Sequence, residues 1–466
     1  MWYFNNILRL QCVSFSKVFG FVPRPGYPFR FAPRPHPLQC YNCNLYFLVE
    51  GWGMDRASRI GILCVSVAIF CFAGIGHVLH GRTADDKAYK SLTVYGEVLQ
   101  KVQQDYVDDP NMRTVTAGSL HGMLESLDAQ SSYLTPREYD EYKKKLANAG
   151  TAETGLTLSK RYGYIIVLSV LPDGPGTKAG IRSGDIFESI SGFTTRDMSV
   201  GQAMNLLNGQ PGTAIKVGVI RRGKATPEEV DLVREKLAMP KIIAQKVDTD
   251  ILVLRIPSLD AGRADEIRNR LLDAEKQGIR KVILDVRECG RGQVSEAIST
   301  ARLFVPSGIL TTLRGQMVSA QVFSAEPKQV IWKNPVSVLI DATTSGAAEV
   351  LASAIAANHR GNVVGERTFG LASEQKLITL DDGAALILTV ANYYNPGGKS
   401  IMEEGVVPTE VVHAVPEDDS DSTDEDAAPA PETQKEPGLG PRPLSPEDPI
   451  FHRALDLLKA PVKKAA

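Results

Sequence analysis

The stretch that most constrains this chain runs from Asp341 to Gln375, DATTSGAAEVLASAIAANHRGNVVGERTFGLASEQ. It follows Val336 to Ile340, VSVLI, a short apolar run of the kind that forms a buried strand. Small residues then turn the chain, and the Ala-rich composition predicts a helix from Ala347 to Asn358. A short strand, Val363 to Val364, and a loop bounded by Gly365 and Gly370 close the unit. Strand, turn, helix and strand in such quick succession define an α/β fold. In such folds a small-residue turn leading into a helix is where nucleophiles sit, because amides at the helix N-terminus can hold a developing oxyanion.

Composition narrows the function classes. At 466 residues, 43% hydrophobic and 23% charged, the chain is ample for two or three domains. A net charge of −2 gives no reason to expect a nucleic-acid partner, which would call for a concentrated basic face. Of the six cysteines, only Cys289 lies beyond residue 79, which leaves that part without an internal disulfide. Cys40 and Cys43 have the spacing of a metal or redox pair but no second pair accompanies them, so neither a metal nor a cofactor is expected.

Ile60 to Leu79, IGILCVSVAIFCFAGIGHVL, is long enough to cross a bilayer as a helix. Met54 to Arg59 would also serve as the basic start of a signal peptide, but the apolar run is long and lacks an A-x-A site, which favours an uncleaved anchor over 54–82. Arg24, Arg30, Arg34, Arg56 and Arg59 put the N-terminus in the cytoplasm and the bulk of the chain outside. Residues 1–53, aromatic- and Pro-rich, read either as a disordered arm or as sequence upstream of a true start at Met54; the well-formed targeting segment favours the second.

Residues 83–150 read as helical. Leu92, Tyr95, Val98, Leu99, Val102 and Tyr106 form one apolar face, Asp108-Asp109-Pro110 breaks the chain, and a second helix is expected from Thr116 to Leu127. Residues 151–238 read as strands around one short helix, Ser199 to Leu207, capped by Ser199 and closed by Gly209. Residues 239–415 return to α/β alternation, with strands at Ile251–Ile256, Lys281–Val286 and Ala384–Val390 and a helix at Ala264–Gln277. Residues 416–448 are acidic and Pro-rich, a disordered linker, and 449–466 carry a terminal helix from Pro449 to Leu458.

The Asp341–Gln375 stretch closely resembles the active-site segment of the carboxyl-terminal processing (tail-specific) serine peptidases, S-A-S-A-S-E-I followed by T-F-G-K-G-x-x-Q. The resemblance continues in Leu127 to Pro136 (L-D-P-x-S-x-Y-L-T-P, with Ala129 for the first Pro), Tyr393 to Gly398 (the family's Y-Y-x-P-x-G turn) and Gly405 to Pro408 (G-I-x-P), spanning about Tyr89 to Val412, and the short terminal helix from Asp448 onward separately resembles the family's D-P-x-L-x-x-A-L ending. Ala179-Gly180-Ile181 and Gly184-Asp185-Ile186 resemble a PDZ domain. The resemblance implies an α/β protein: membrane-anchored, with a helical N-terminal region and a PDZ-like, β-rich domain inserted before a ClpP/crotonase-like peptidase core. It also implies that Gly155, Leu156 and Thr157 form a carboxylate-binding loop and that Met204 and Leu207 face an apolar pocket; the residues themselves fit the small domain's core equally well.

Carried over residue by residue, the family's chemistry is missing. Anchoring on Glu349 puts the nucleophile position at Gly346; anchoring on Thr368-Phe369-Gly370 puts the general base at Leu371. Gly346 has no side-chain oxygen and Leu371 accepts no proton. Gln375, which in the family orients the base, remains. In the family's oxyanion turn, D-L-R-N-N-P-G-G, this chain has Gly290, Arg291 and Gly292 at the last three positions, and a long cation at 291 should crowd the cleft. Ser345, with Lys376 or His359, is the substitute dyad to consider, although one step along a helix entry turns a side chain by about 100°. The expectation is therefore a pseudopeptidase that binds C-terminal tails of envelope proteins, beside an active peptidase paralogue, on a bacterial inner membrane with its bulk in the periplasm. The alternative is an active serine endopeptidase with a displaced dyad.

Overall fold

The computed structural model describes residues 61, 65–66, 90–147, 152–221, 226–413 and 448–460. The expected arm 1–53, the Cys40–Cys43 pair, nearly all of the expected anchor and the linker up to 447 lie outside the described residues. Among the described residues no helix is long and apolar enough to cross a membrane. The chain separates into two units, one up to Lys101 and one from Val102 onward.

Helix α1, residues 90–105, carries the predicted apolar stripe, with Leu92, Tyr95 and Val98 exposed. Helix α2 (Met112–Glu125) starts four residues earlier than expected. Asn111 caps it by accepting from the backbone N–H of Arg113 and Thr114, so the start is set by an Asn rather than by apolar periodicity. Strand β1 (Ser132–Leu134) and helix α3 (Pro136–Ala147) follow.

The small domain contains β2 (Leu156–Arg161), β3 (Tyr164–Val170), α4 (Pro175–Lys178), β4 (Ile186–Ile190), β5 (Phe193–Thr194), α5 (Val200–Leu207), β6 (Ala214–Ile220) and β7 (Glu228–Val233). Its antiparallel sheet has the order β2-β3-β4-β6-β7, with β5 beside β4, so β2 is an edge strand. Alternate residues of these strands, among them Leu158, Ile165, Val167, Phe187 and Val217, point inward onto Ala203 and Leu207 of α5. A reciprocal capping box between Ser199 and Gln202 starts α5. Gly209 does not close it. The cap is Asn208 in an extended conformation, and Gly209 pairs with Ala152, where a Cβ would press on Arg234.

The core is built on β8 (Ile243–Asp248), β9 (Ile251–Arg255), α6 (Arg263–Lys276), β10 (Lys281–Asp285), α7 (Val294–Arg302), β13 (Val336–Ile340), α8 (Ala347–Ala357), β14 (Asn362–Gly365) and β17 (Glu410–Val411). Its sheet runs β17-β14-β13-β10-β9-β8, parallel except for β8. The three helices cover one face. Helix α9 (Pro449–Lys459) covers the other, setting Ile450, Phe451, Ala454 and Leu455 against Ile251, Ile283, Leu339 and Val364. Burial on both faces is why β10 and β13 read as unbroken apolar runs.

A third, antiparallel sheet joins distant segments. It contains β11 (Ile309–Arg314), β12 (Gln321–Ser324), β15 (Ser373–Thr379), β16 (Ala385–Tyr394) and β1. Strand β16 runs on through Tyr393 and Tyr394, which pair with Leu313 and Thr312; the expected turn begins only at Asn395. Asp128 fixes the N-terminal block here, accepting from the N–H of Gln130 and Ser131 and from the hydroxyls of Ser131 and Thr389.

Candidate active site

At the end of β13 the chain turns on Asp341. One of its carboxylate oxygens accepts from the N–H and hydroxyl groups of Thr343 and Thr344, and the Glu288 N–H reaches the same carboxylate at 3.2 Å. The strand end is thereby stapled to the loop that follows β10. Gly346 then enters α8 with φ +61° and ψ −118°.

Glu349, three residues on, is fully buried. Its Oε2 accepts from the Gly346 N–H at 2.8 Å and the Leu371 N–H at 2.7 Å; its Oε1 accepts from the Gly370 N–H at 2.6 Å and the Thr368 hydroxyl at 2.5 Å. Thr368 Oγ1 in turn accepts from Val406 N–H at 2.7 Å, which ties in the Gly405–Pro408 segment. Gly346 and Leu371, the positions expected to carry nucleophile and base, thus hang from a single oxygen atom. Burial pushes the Glu349 carboxyl up to about 7, while the bonds from Thr368, Leu371, Gly370 and Gly346 pull the other way. In the sequence Glu349 served only as an alignment anchor. Its signal was a lone acid in an otherwise apolar first turn.

Nothing chemical projects from the two held positions. A Cβ on Gly346 would meet nothing within 4 Å, and Leu371 is a partly buried alkyl side chain. Ser345 is 1% exposed, its N–H donates to the Cys289 carbonyl at 3.1 Å, and its Oγ has no hydrogen-bond partner among the described residues. That hydroxyl faces Gly290, where a Cβ would stand 2.8 Å from it and 2.7 Å from Ser169 Oγ. His359 lies beyond the far end of α8, an 11-residue helix about 16 Å long at 1.5 Å per residue. Lys376 and Gln375 are exposed on β15, opposite Leu388 and Thr389. No candidate base reaches Ser345. Cys289 offers no substitute either: it is fully buried, and burial pushes its thiol up to about 12.

The loop Asp285–Gly292 approaches from the other side. Gly292 bridges Leu259, and a Cβ there would lie 2.4 Å from the Leu259 carbonyl carbon at φ +138°, so only glycine fits. Arg291 reaches out of this loop: Nη1 meets Glu153 Oε2 at 2.6 Å and Nε meets Asp260 Oδ1 at 3.3 Å. A cavity of about 320 Å³ is lined by Gly155, Leu156, Thr157 and Met204 from the small domain and by Gly290, Arg291 and Gly292 from the core. The structure therefore brings six of the residues expected at the cleft, and Arg291 with them, into one space. Leu207 is not among them; it is fully buried in the small domain's core. Arg161 of β2 stacks on Phe369, 4.5 Å from the ring centre, a second contact between the domains.

A parallel sheet flanked by helices, a strand-to-helix turn, a Gly-rich loop facing it and a T-F-G segment held beside it make up this geometry. The family model for peptidase family S41 matches residues 250–412. Residues 250–412 form a peptidase family S41 domain. Among relatives of the whole chain, a carboxy-terminal-processing protease of Bartonella bacilliformis is 28% identical over 336 residues, 70% of this chain and 76% of that protein. Carboxy-terminal processing protease CtpA of Bacillus subtilis is 27% identical over 327 residues, 70% and 69% of the two chains. The solved photosystem II D1 C-terminal processing protease shares the fold, with a TM-score of 0.57 and 23% identity over 69% of this chain and 92% of that one. The S41 domain here keeps the scaffold with Gly346 and Leu371 at the two positions its buried carboxylate holds.

Proposed function

We propose that this chain is a pseudopeptidase of the carboxy-terminal processing type, which binds peptide C-termini through its PDZ-like domain and acts as a scaffold or regulator. One observation carries the reading: Glu349 still holds the nucleophile and base positions together, and those positions are Gly346 and Leu371. A serine–lysine dyad needs a hydroxyl and a neutral amine within reach of each other, and neither is present there. Tail binding is supported by β2 being an edge strand with α5 packed on it, a groove to which an extended peptide can add as a strand. The names of the relatives describe processing of carboxyl termini, which fits a tail-shaped ligand.

The second reading, an active endopeptidase with Ser345 as nucleophile, is favoured by one observation: a buried Ser345 hydroxyl with no partner among the described residues, beside the Gly-rich loop. Incubating the full chain with an unstructured C-terminal-tail substrate separates the two. No product is expected; cleavage that Ser345→Ala abolishes would overturn the pseudopeptidase reading. The proposal extends to location, a single-pass anchor at Ile60–Leu79 with the folded part in the periplasm beside an active paralogue. Protease protection of the folded part in intact bacterial cells, lost when the outer membrane is permeabilised, is the expected result.

A further inference from the structure

We propose that Arg291 reads the free carboxylate of a bound C-terminal tail, and that Glu153 occupies it in the unliganded protein as an internal substitute. The proposal rests on the tail-binding reading and assigns its charge recognition to the core rather than to the PDZ-like domain. A peptide added antiparallel to β2 ends opposite the first residues of that strand, Leu156 and Thr157. Those residues and Arg291 line the same cavity, and among the described residues Arg291 is the one cation in that lining. The core thus delivers a positive charge to the place where the chain end must lie.

The guanidinium is suited to the exchange. Its Nε and Nη1 are engaged by Asp260 and Glu153, and Nη2 has no hydrogen-bond partner among the described residues. A planar fork of this kind binds a carboxylate through two parallel N–H bonds, which a lysine cannot do. Glu153 sits two residues before Gly155, with its backbone paired to Glu235, so its carboxylate reaches the fork from the loop that would meet the peptide. Arg291 and Glu153 are 40% and 38% exposed, and pairs this exposed are weakly held. A tail carboxylate can replace Glu153 on Arg291 while Asp260 keeps the side chain in place.

The test is fluorescence anisotropy on the full chain, with a fluorescein-labelled unstructured decapeptide ending in valine, as the free acid and as the C-terminal amide. The wild-type chain is expected to prefer the acid at least tenfold. Arg291→Gln should erase that preference while leaving amide affinity unchanged, which also reports that the variant is folded. Glu153→Gln should tighten acid binding severalfold and leave the amide alone. A preference that survives Arg291→Gln, acid affinity untouched by Glu153→Gln, or equal wild-type binding of both forms overturns the inference by itself. Failure of the wild-type chain to bind either peptide overturns the tail-binding reading and the inference together.

Discussion

At the scale of single residues, Glu349 governs the geometry of the site by holding Gly346, Thr368, Gly370 and Leu371. Burial raises its carboxyl from the ordinary 4.5 to about 7, so between these values the folded chain holds a proton that the unfolded chain has released. The stability this contributes is full below about pH 4.5 and is lost as pH rises towards 7, up to about 3 kcal/mol at 1.36 kcal/mol per unit. Glu349→Gln lacks that dependence and loses an acceptor oxygen, so it should be less stable than wild type at pH 5, with the gap narrowing at pH 8. Urea unfolding of both proteins at the two pH values checks this; a gap that does not change with pH refutes it. The open space at Gly346 supports a second prediction. Gly346→Ser with Leu371→Lys should gain tail cleavage at least tenfold above either single change, read by product formation from the same tail substrate.

At the scale of elements, α9 shows how a terminal segment is held. Asp448 caps it by accepting from the N–H groups of Ile450 and Phe451, each at 3.1 Å, and pairs with Arg287, which also binds the buried Asp285. Asp448→Ala should cost about 1 kcal/mol for the cap and more for the half-stripped guanidinium, whereas Asp448→Asn should keep the cap. Phe451→Ala should cost about 3–5 kcal/mol through the cavity it leaves against the sheet. Thermal unfolding should rank wild type, Asp448→Asn, Asp448→Ala and Phe451→Ala in falling order of stability. The same elements show what a sequence can reveal. Strands β9, β10 and β13 were legible because both faces are buried. Strand β15, SEQKLIT, was not: it is mostly exposed and polar, and its ladder with β16 makes it a strand. Strand β8 is an exposed edge for the same reason. The early start of α2 was missed because a capping Asn leaves no mark on apolar periodicity.

At the scale of the whole molecule, the cleft is assembled from segments far apart in sequence. Residues 153, 155–158 and 204 come from one domain and 290–292 from another, and only the fold makes them neighbours. The motifs therefore pointed to Gly346 and Leu371 as the positions to look at, while the hub role of Glu349 and the reach of Arg291 to Glu153 needed three-dimensional structure. Gly155 tests the cleft as a unit. Its φ is +72° and a Cβ there would come within 3.2 Å of Leu171, so Gly155→Trp is strained and fills the groove. It should weaken tail-peptide binding at least tenfold in anisotropy titrations, and unchanged affinity would place the peptide elsewhere.

The backbone at Gly346 has a consequence for descent. A residue with a β-carbon at φ +61° carries strain of about 1–3 kcal/mol, a burden that a working nucleophile must bear. On the pseudopeptidase reading proposed above, a lineage that had stopped turning over substrate would gain stability by shedding that carbon, and selection for folding alone would then keep glycine in place. On that reading the step away from catalysis is downhill and the step back is uphill. Gly346→Ser by itself should therefore melt below the wild-type chain, a ratchet set by one dihedral angle.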